Sequence, residues 1–138
     1  MPSKTAILKN LQRAKLEASR STFFKQHVGC VLMVGNRVLA LAHNSEKTYP
    51  IQQRYNRFRG FRHPEKDNFG YIHAEMQVLQ KTQYLDLDWE DTTLYIGRVT
   101  RGGEQGLARP CPACERAIRK RGIGTVYYTL DKEGFDIL

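Results

Sequence analysis

The order of helical and strand-like patterns along the chain predicts an α/β sandwich. A run with helical spacing at the N-terminus is followed by two apolar runs joined by a two-residue turn. Two further strand-like runs lie downstream, each behind a helical pattern. The resulting order, α-β-β-α-β-α-β, belongs to sheets that bury themselves under helices.

Each element follows from its residues. Lys4 to about Arg20 reads as a helix: Ile7, Leu8, Leu11, Ala14 and Ala18 recur at helical spacing, with Lys9, Arg13, Lys15 and Arg20 elsewhere. It is expected to cover the sheet and turn a basic face to solvent. Val28–Val34 is a nearly continuous apolar run, Gly35-Asn36 follows, and Arg37–Ala42 is a second run. Two such runs around a Gly-Asn turn predict a β-hairpin. Residues 45–71 are expected to be irregular, a long connection of the kind that carries function. They hold Pro50, Gly60, Pro64, Gly70 and a basic-aromatic stretch, Arg54-Tyr55-Asn56-Arg57-Phe58-Arg59-Gly60-Phe61-Arg62. A second helix is expected from near His73 to near Tyr84, and a third strand over Thr92–Val99. A loop with Gly102, Gly103 and Gly106 comes next. Pro112 suits the first turn of a third helix that runs to about Arg121 and stops at Gly122. Thr125–Leu130 is the fourth strand that the pattern places.

At 138 residues the chain is expected to form one domain, with a core large enough to need no disulfide staples. Its composition, with 26% charged residues, argues against global disorder. Three cysteines, two of them in Cys-x-x-Cys, suggest metal binding in a reducing compartment. No apolar run approaches the ~20 residues of a membrane span, and the N-terminus does not read as a secretory signal. A cytoplasmic protein is expected. The formal charge of +8 suits anionic partners without choosing among them.

The chemistry sits in His73-Ala74-Glu75 and Pro110-Cys111-Pro112-Ala113-Cys114. One histidine and two cysteines fill three corners of a zinc tetrahedron and leave the fourth to water, the pattern of a catalytic site. Cys111 and Cys114, three apart, fall on one helix face at its N-terminus, where the dipole favours thiolates. A closed zinc knuckle would need a fourth ligand, and Cys30 lies inside an apolar strand. A redox Cys-x-x-Cys would leave His73-Ala74-Glu75 without a role. His27, His43 and His63 are read as ordinary histidines.

H-x-E followed by P-C-x-x-C is the signature of zinc-dependent nucleobase deaminases. The chain resembles the cytidine deaminase-like superfamily from about His27 to Leu130. The resemblance implies a three-layer α/β/α sandwich around a mixed sheet of about five strands. It implies Zn2+ held by His73, Cys111 and Cys114. It makes Glu75 the proton shuttle between an activated water, the ring nitrogen and the leaving ammonia. Asn44 resembles the family asparagine that contacts the substrate sugar or base, although this chain has Ala42 where the family often has glycine. Ala74 follows the family's small residue, whose backbone N–H faces the base. Arg109, next to Pro110, is a candidate for substrate phosphate.

Family members differ in substrate through their loops. Cytosine in a free nucleoside or nucleotide is the preferred expectation. A polynucleotide deaminase is the rival, because residues 54–62 interleave stacking and phosphate-binding groups and Arg116, Arg119, Lys120 and Arg121 add a basic stretch. A non-catalytic zinc-stabilised binding module is a third class, disfavoured by the intact Glu75. The resemblance also implies a homo-oligomer.

Overall fold

A computed structural model describes residues 2–23, 26–59 and 71–138. Helix α1 is Lys4–Ala18, β1 is His27–Val34 and β2 is Arg37–His43. A short helix α2, Pro50–Tyr55, runs into a 3-10 turn, Asn56–Arg59. Then come α3 (Ala74–Lys81), β3 (Thr92–Val99), β4 (Gln105–Gly106), α4 (Pro112–Arg121), β5 (Thr125–Thr129) and β6 (Phe135–Ile137).

The strands form one mixed sheet in the order β2-β1-β3-β5-β6, with β4 paired to the end of β3. β3 and β5 are parallel; the other pairs are antiparallel. Gly35 closes the predicted hairpin at φ 57°, the conformation that primed turns demand.

Both faces of the sheet are covered. On one, Ile7, Leu11 and Ala14 of α1 pack with Val31, Met33, Tyr95 and Tyr127. On the other, Met76, Val78 and Leu79 of α3 and Ala117 and Ile118 of α4 pack with Cys30, Leu32, Leu94, Ile96, Val126 and Tyr128. Successive residues of one strand serve opposite cores, so the strands read as continuous apolar runs. The layers are those of an α/β/α sandwich. Gly29 and Gly97 face each other across β1 and β3. A Cβ on Gly29 would strike the Ala14 carbonyl, and one on Gly97 would lie 2.9 Å from the Lys15 nitrogen. The two glycines let α1 lie directly on the sheet.

The expectation of an irregular 45–71 is corrected. Pro50 occupies the first turn of α2, where its fixed φ suits a helix start, and the helix is too short to show a period. Thr48 and Tyr71 form an isolated β-bridge that closes the connection at its base. Gly60, Phe61, Arg62, His63, Pro64 and Gly70 lie outside the described residues. The glycine loop after β3 contains β4, and β6 adds a last strand; the sheet therefore exceeds the four strands that the pattern placed.

Candidate active site

The starts of two helices meet at one point. His73 is the N-cap of α3 and Cys111 the N-cap of α4, both with extended backbone. Pro112 opens α4, and Cys114 lies in its first turn. Gly122 ends that helix in the left-handed conformation at φ 91°. His73 Nδ1 is 3.2 Å from Cys114 Sγ and 3.7 Å from Cys111 Sγ. All three ligand atoms lie within 4.8 Å of one another. A tetrahedral zinc, with nitrogen at about 2.0 Å and sulfur at about 2.3 Å, separates such ligands by roughly 3.5 Å. The group therefore fits the ion closely.

The surroundings prepare the ligands. A hydrogen bond from the Cys114 thiol, with further help from His73, lowers Cys111 to about 4. Donating its thiol proton to that bond, together with burial, raises the pKa of the fully buried Cys114. Zinc displaces such protons when it binds. Gln52, 0% exposed, accepts from the His73 backbone N–H through Oε1 at 3.1 Å and donates through Nε2 to Asn56 Oδ1 at 2.9 Å. This brace comes from α2, within the segment expected to be irregular, and no sequence signal marks it.

A cavity of about 590 Å³ opens beside the ligands. His73, Cys111 and Glu75 line it, together with Asn44, Ala74 and Arg109, so the structure brings these sequence-predicted residues to one place. Glu75 is buried, and desolvation raises its carboxyl pKa, partly opposed by His73. Among the described lining residues it is the sole carboxylate. Asn44 has its side chain engaged with the chain leading into β1: Oδ1 accepts from Val28 N at 3.1 Å and Nδ2 donates to Gln26 O at 2.8 Å. Arg109 lines the cavity with its side chain about half exposed. Its guanidinium donates to Tyr128 Oη at 3.1 Å and lies 3.7 Å from Glu115. Phe23 and Tyr71, in edge-to-face contact at 5.8 Å, form part of the wall and went unpredicted, as did Arg98.

Of the described residues of the basic-aromatic stretch, Asn56 alone lines this cavity. Arg54, Tyr55, Arg57 and Phe58 border a second depression with Arg116, Arg119 and Lys120 of α4. The Phe58 ring has Arg57 at 4.7 Å and Arg116 at 4.4 Å from its centre.

The family model for the cytidine and deoxycytidylate deaminase zinc-binding region matches residues 4–130. Solved structures share the fold. The dCMP deaminase from the cyanophage S-TIM5 in apo form aligns with a TM-score of 0.61 at 19% identity, over 94% of this chain and 86% of that one. The same enzyme in complex with dCMP and dUMP aligns at 0.66 and 20%, over 94% and 85%. No curated protein sequence matches the chain. The zinc-binding family and the His/Cys/Cys donor set agree on Zn2+ as the cofactor.

Proposed function

The chain belongs to the cytidine and deoxycytidylate deaminase zinc-binding family, and on that premise we propose that it is a hydrolytic deaminase converting cytosine to uracil in a free nucleoside or nucleotide. The observation that carries the reading is Glu75. A carboxylate beside a three-ligand metal group, buried at the wall of a cavity, suits proton transfer and little else. The similarity in fold to an enzyme solved with dCMP and dUMP supports a nucleotide-sized substrate.

His73, Cys111 and Cys114 would hold the zinc, which would supply an acidified water as nucleophile. Glu75 is placed to hold a proton and deliver it to the ring nitrogen N3. It carries the second proton to the amine at C4, which leaves as ammonia while the water oxygen stays on C4. The burial that raises Glu75 makes it a willing proton carrier. Ala74 is the first residue of α3, so its N–H has no partner within the helix and can face the base. Asn44 and the exposed Arg109 line the same cavity and are candidates for contacts to the sugar and beyond it. The protein acts as a single domain in the cytoplasm, where its three unpaired thiols stay reduced. No helix among the described residues is long and apolar enough to cross a membrane. The homo-oligomer belongs to this reading as well, and sedimentation of the zinc-loaded protein tests it.

Loss of amine, followed by mass spectrometry, tests the activity. The substrates are cytidine, deoxycytidine, their monophosphates, adenosine, guanine and a single-stranded oligonucleotide. Conversion of a free cytosine compound is expected; conversion of adenosine or guanine alone would sink the base assignment. The cations around Phe58 favour a second reading, a polynucleotide deaminase. Conversion of the oligonucleotide with none of any free compound would establish it. Weak oligonucleotide binding that fades with salt would not.

A further inference from the structure

Arg98 is the cation that the mechanism leaves unused. On β3 it follows Leu94 and Ile96 at a spacing of two, which places it on the sheet face that carries the zinc ligands. It lies at the carboxyl end of β3, beside parallel β5, where open α/β sheets bind their ligands. It lines the same cavity as Glu75 and His73. Its Nε is buried and makes no hydrogen bond, the sole such side-chain atom among the described residues. Among the described residues its guanidinium makes one hydrogen bond, a long 3.5 Å approach of Nη1 to the Leu107 carbonyl. No carboxylate among the described residues forms an ion pair with it. Arg109, by contrast, is half-exposed and already engaged by Tyr128 and Glu115.

Folded proteins seldom leave a buried donor unpaired, because its desolvation is not repaid. Arg98 lines the cavity, and a turn of its side chain would bring this unpaired donor to a ligand there. The β3–β4 hairpin holds it ready. Gly106 of β4 pairs with Arg98, and a Cβ on Gly106 would lie 3.1 Å from Arg98 Cγ and Cδ and 3.3 Å from Nε. The absent side chain makes room for the arginine stem across the strand. A guanidinium fork matches two oxygens of an oxyanion. A neutral nucleoside offers no such group; its phosphate ester does.

We propose that Arg98 is the specificity residue of this cavity, taking in its guanidinium fork the phosphate of a phosphorylated cytosine substrate. The proposal rests on the deaminase reading above and deepens it. The phosphate has two possible sources, the monoester of a free nucleotide or the diester of a strand, and the experiment separates them.

Zinc-loaded native protein, Arg98→Met, Arg98→Lys and Gly106→Ala are compared on deoxycytidine, dCMP and a short single-stranded oligonucleotide. Calorimetry of inorganic phosphate and dUMP runs beside the kinetics. Native protein should prefer dCMP to deoxycytidine. In Arg98→Met, kcat/KM on dCMP should fall about a hundredfold, mainly through KM, and the preference should collapse. Arg98→Lys should recover part of it, and Gly106→Ala should lose part of it. A preference for the oligonucleotide that Arg98→Met abolishes would assign the same role with the diester as source. A preference for phosphate that survives in Arg98→Met, or native protein with neither preference nor phosphate binding, would overturn the proposal. Should no cytosine compound be turned over while dUMP binds native protein and not Arg98→Met, the deaminase reading falls and the anion site stands.

Discussion

Gln52 and His73 are joined by a 3.1 Å hydrogen bond from the His73 backbone N–H to the Gln52 side-chain oxygen, so a residue of α2 fixes the start of α3 and the candidate metal donor there. Gln52 is wholly buried and also ties Asn56, another residue of the cavity wall. Replacing it with leucine removes the hydrogen bonds that Gln52 makes to the His73 N–H and to the buried Asn56, at a cost of about 1–3 kcal/mol. We expect Gln52→Leu to melt lower and to bind zinc about 10–100-fold more weakly, as the loss of an outer support does elsewhere. Chelator competition and thermal melts measure both. Unchanged zinc affinity with lowered stability would reduce Gln52 to a packing residue.

The metal group makes a simpler prediction. Native protein should carry about one zinc per chain, and Cys114→Ala should carry almost none, because two remaining ligands cannot close the site. Metal analysis of both proteins decides it. Chelator treatment of native protein should lower its melting temperature, since a ligand bound to the folded form stabilises it. Equal zinc in the two proteins would remove Cys114 from the ligand set.

What the sequence made legible follows from how local each signal is. The central strands β1, β3 and β5 are visible because burial on both faces makes them continuously apolar. The metal group is visible because its donors sit in two short motifs at helix starts; the Cys111–Cys114 spacing puts both on one turn, while their meeting with His73 depends on the fold. Helix α2 is not visible: six residues hold less than two turns, and its most buried side chain is a polar glutamine. Strands β4 and β6 are too short for alternation to register, and partners distant in sequence define them. Arg98 was legible in principle, two residues beyond Ile96 on a strand whose even positions face the site. Its meaning needed the unpaired Nε, which no sequence shows.

Alkaline pH should find a weakness in the opposite core. Tyr95 is stacked on Tyr127 at 5.5 Å, and burial raises its phenol above the usual 10.0. The folded protein therefore keeps this proton at a pH where the unfolded chain releases it. The sign follows: stability is full below about pH 10 and falls as pH rises through the folded value. Cys30, raised from 9.0 chiefly by burial, adds to the same decline. Melting temperature against pH should turn downward above about pH 9, and Tyr95→Phe should decline less steeply than native protein. Parallel curves for the two would show that Tyr95 titrates alike in both states.

Glu75→Gln tests the proposed proton carrier separately from the metal. The amide keeps the volume of the buried side chain and leaves His73, Cys111 and Cys114 untouched, so zinc content and fold should hold. It cannot accept a proton from water or pass one to the ring, and turnover of whichever cytosine compound the native protein uses should fall about 10²–10⁴-fold. The loss should appear in kcat, with KM little changed, because the acid acts in the chemical step and not in holding the substrate. Stability offers an independent check. Burial disfavours the carboxylate at Glu75, so a neutral amide should leave the zinc-free protein at least as stable at neutral pH. A variant that lost zinc would move Glu75 from the chemistry to the architecture of the site. One that kept zinc and near-native turnover would deny it both roles.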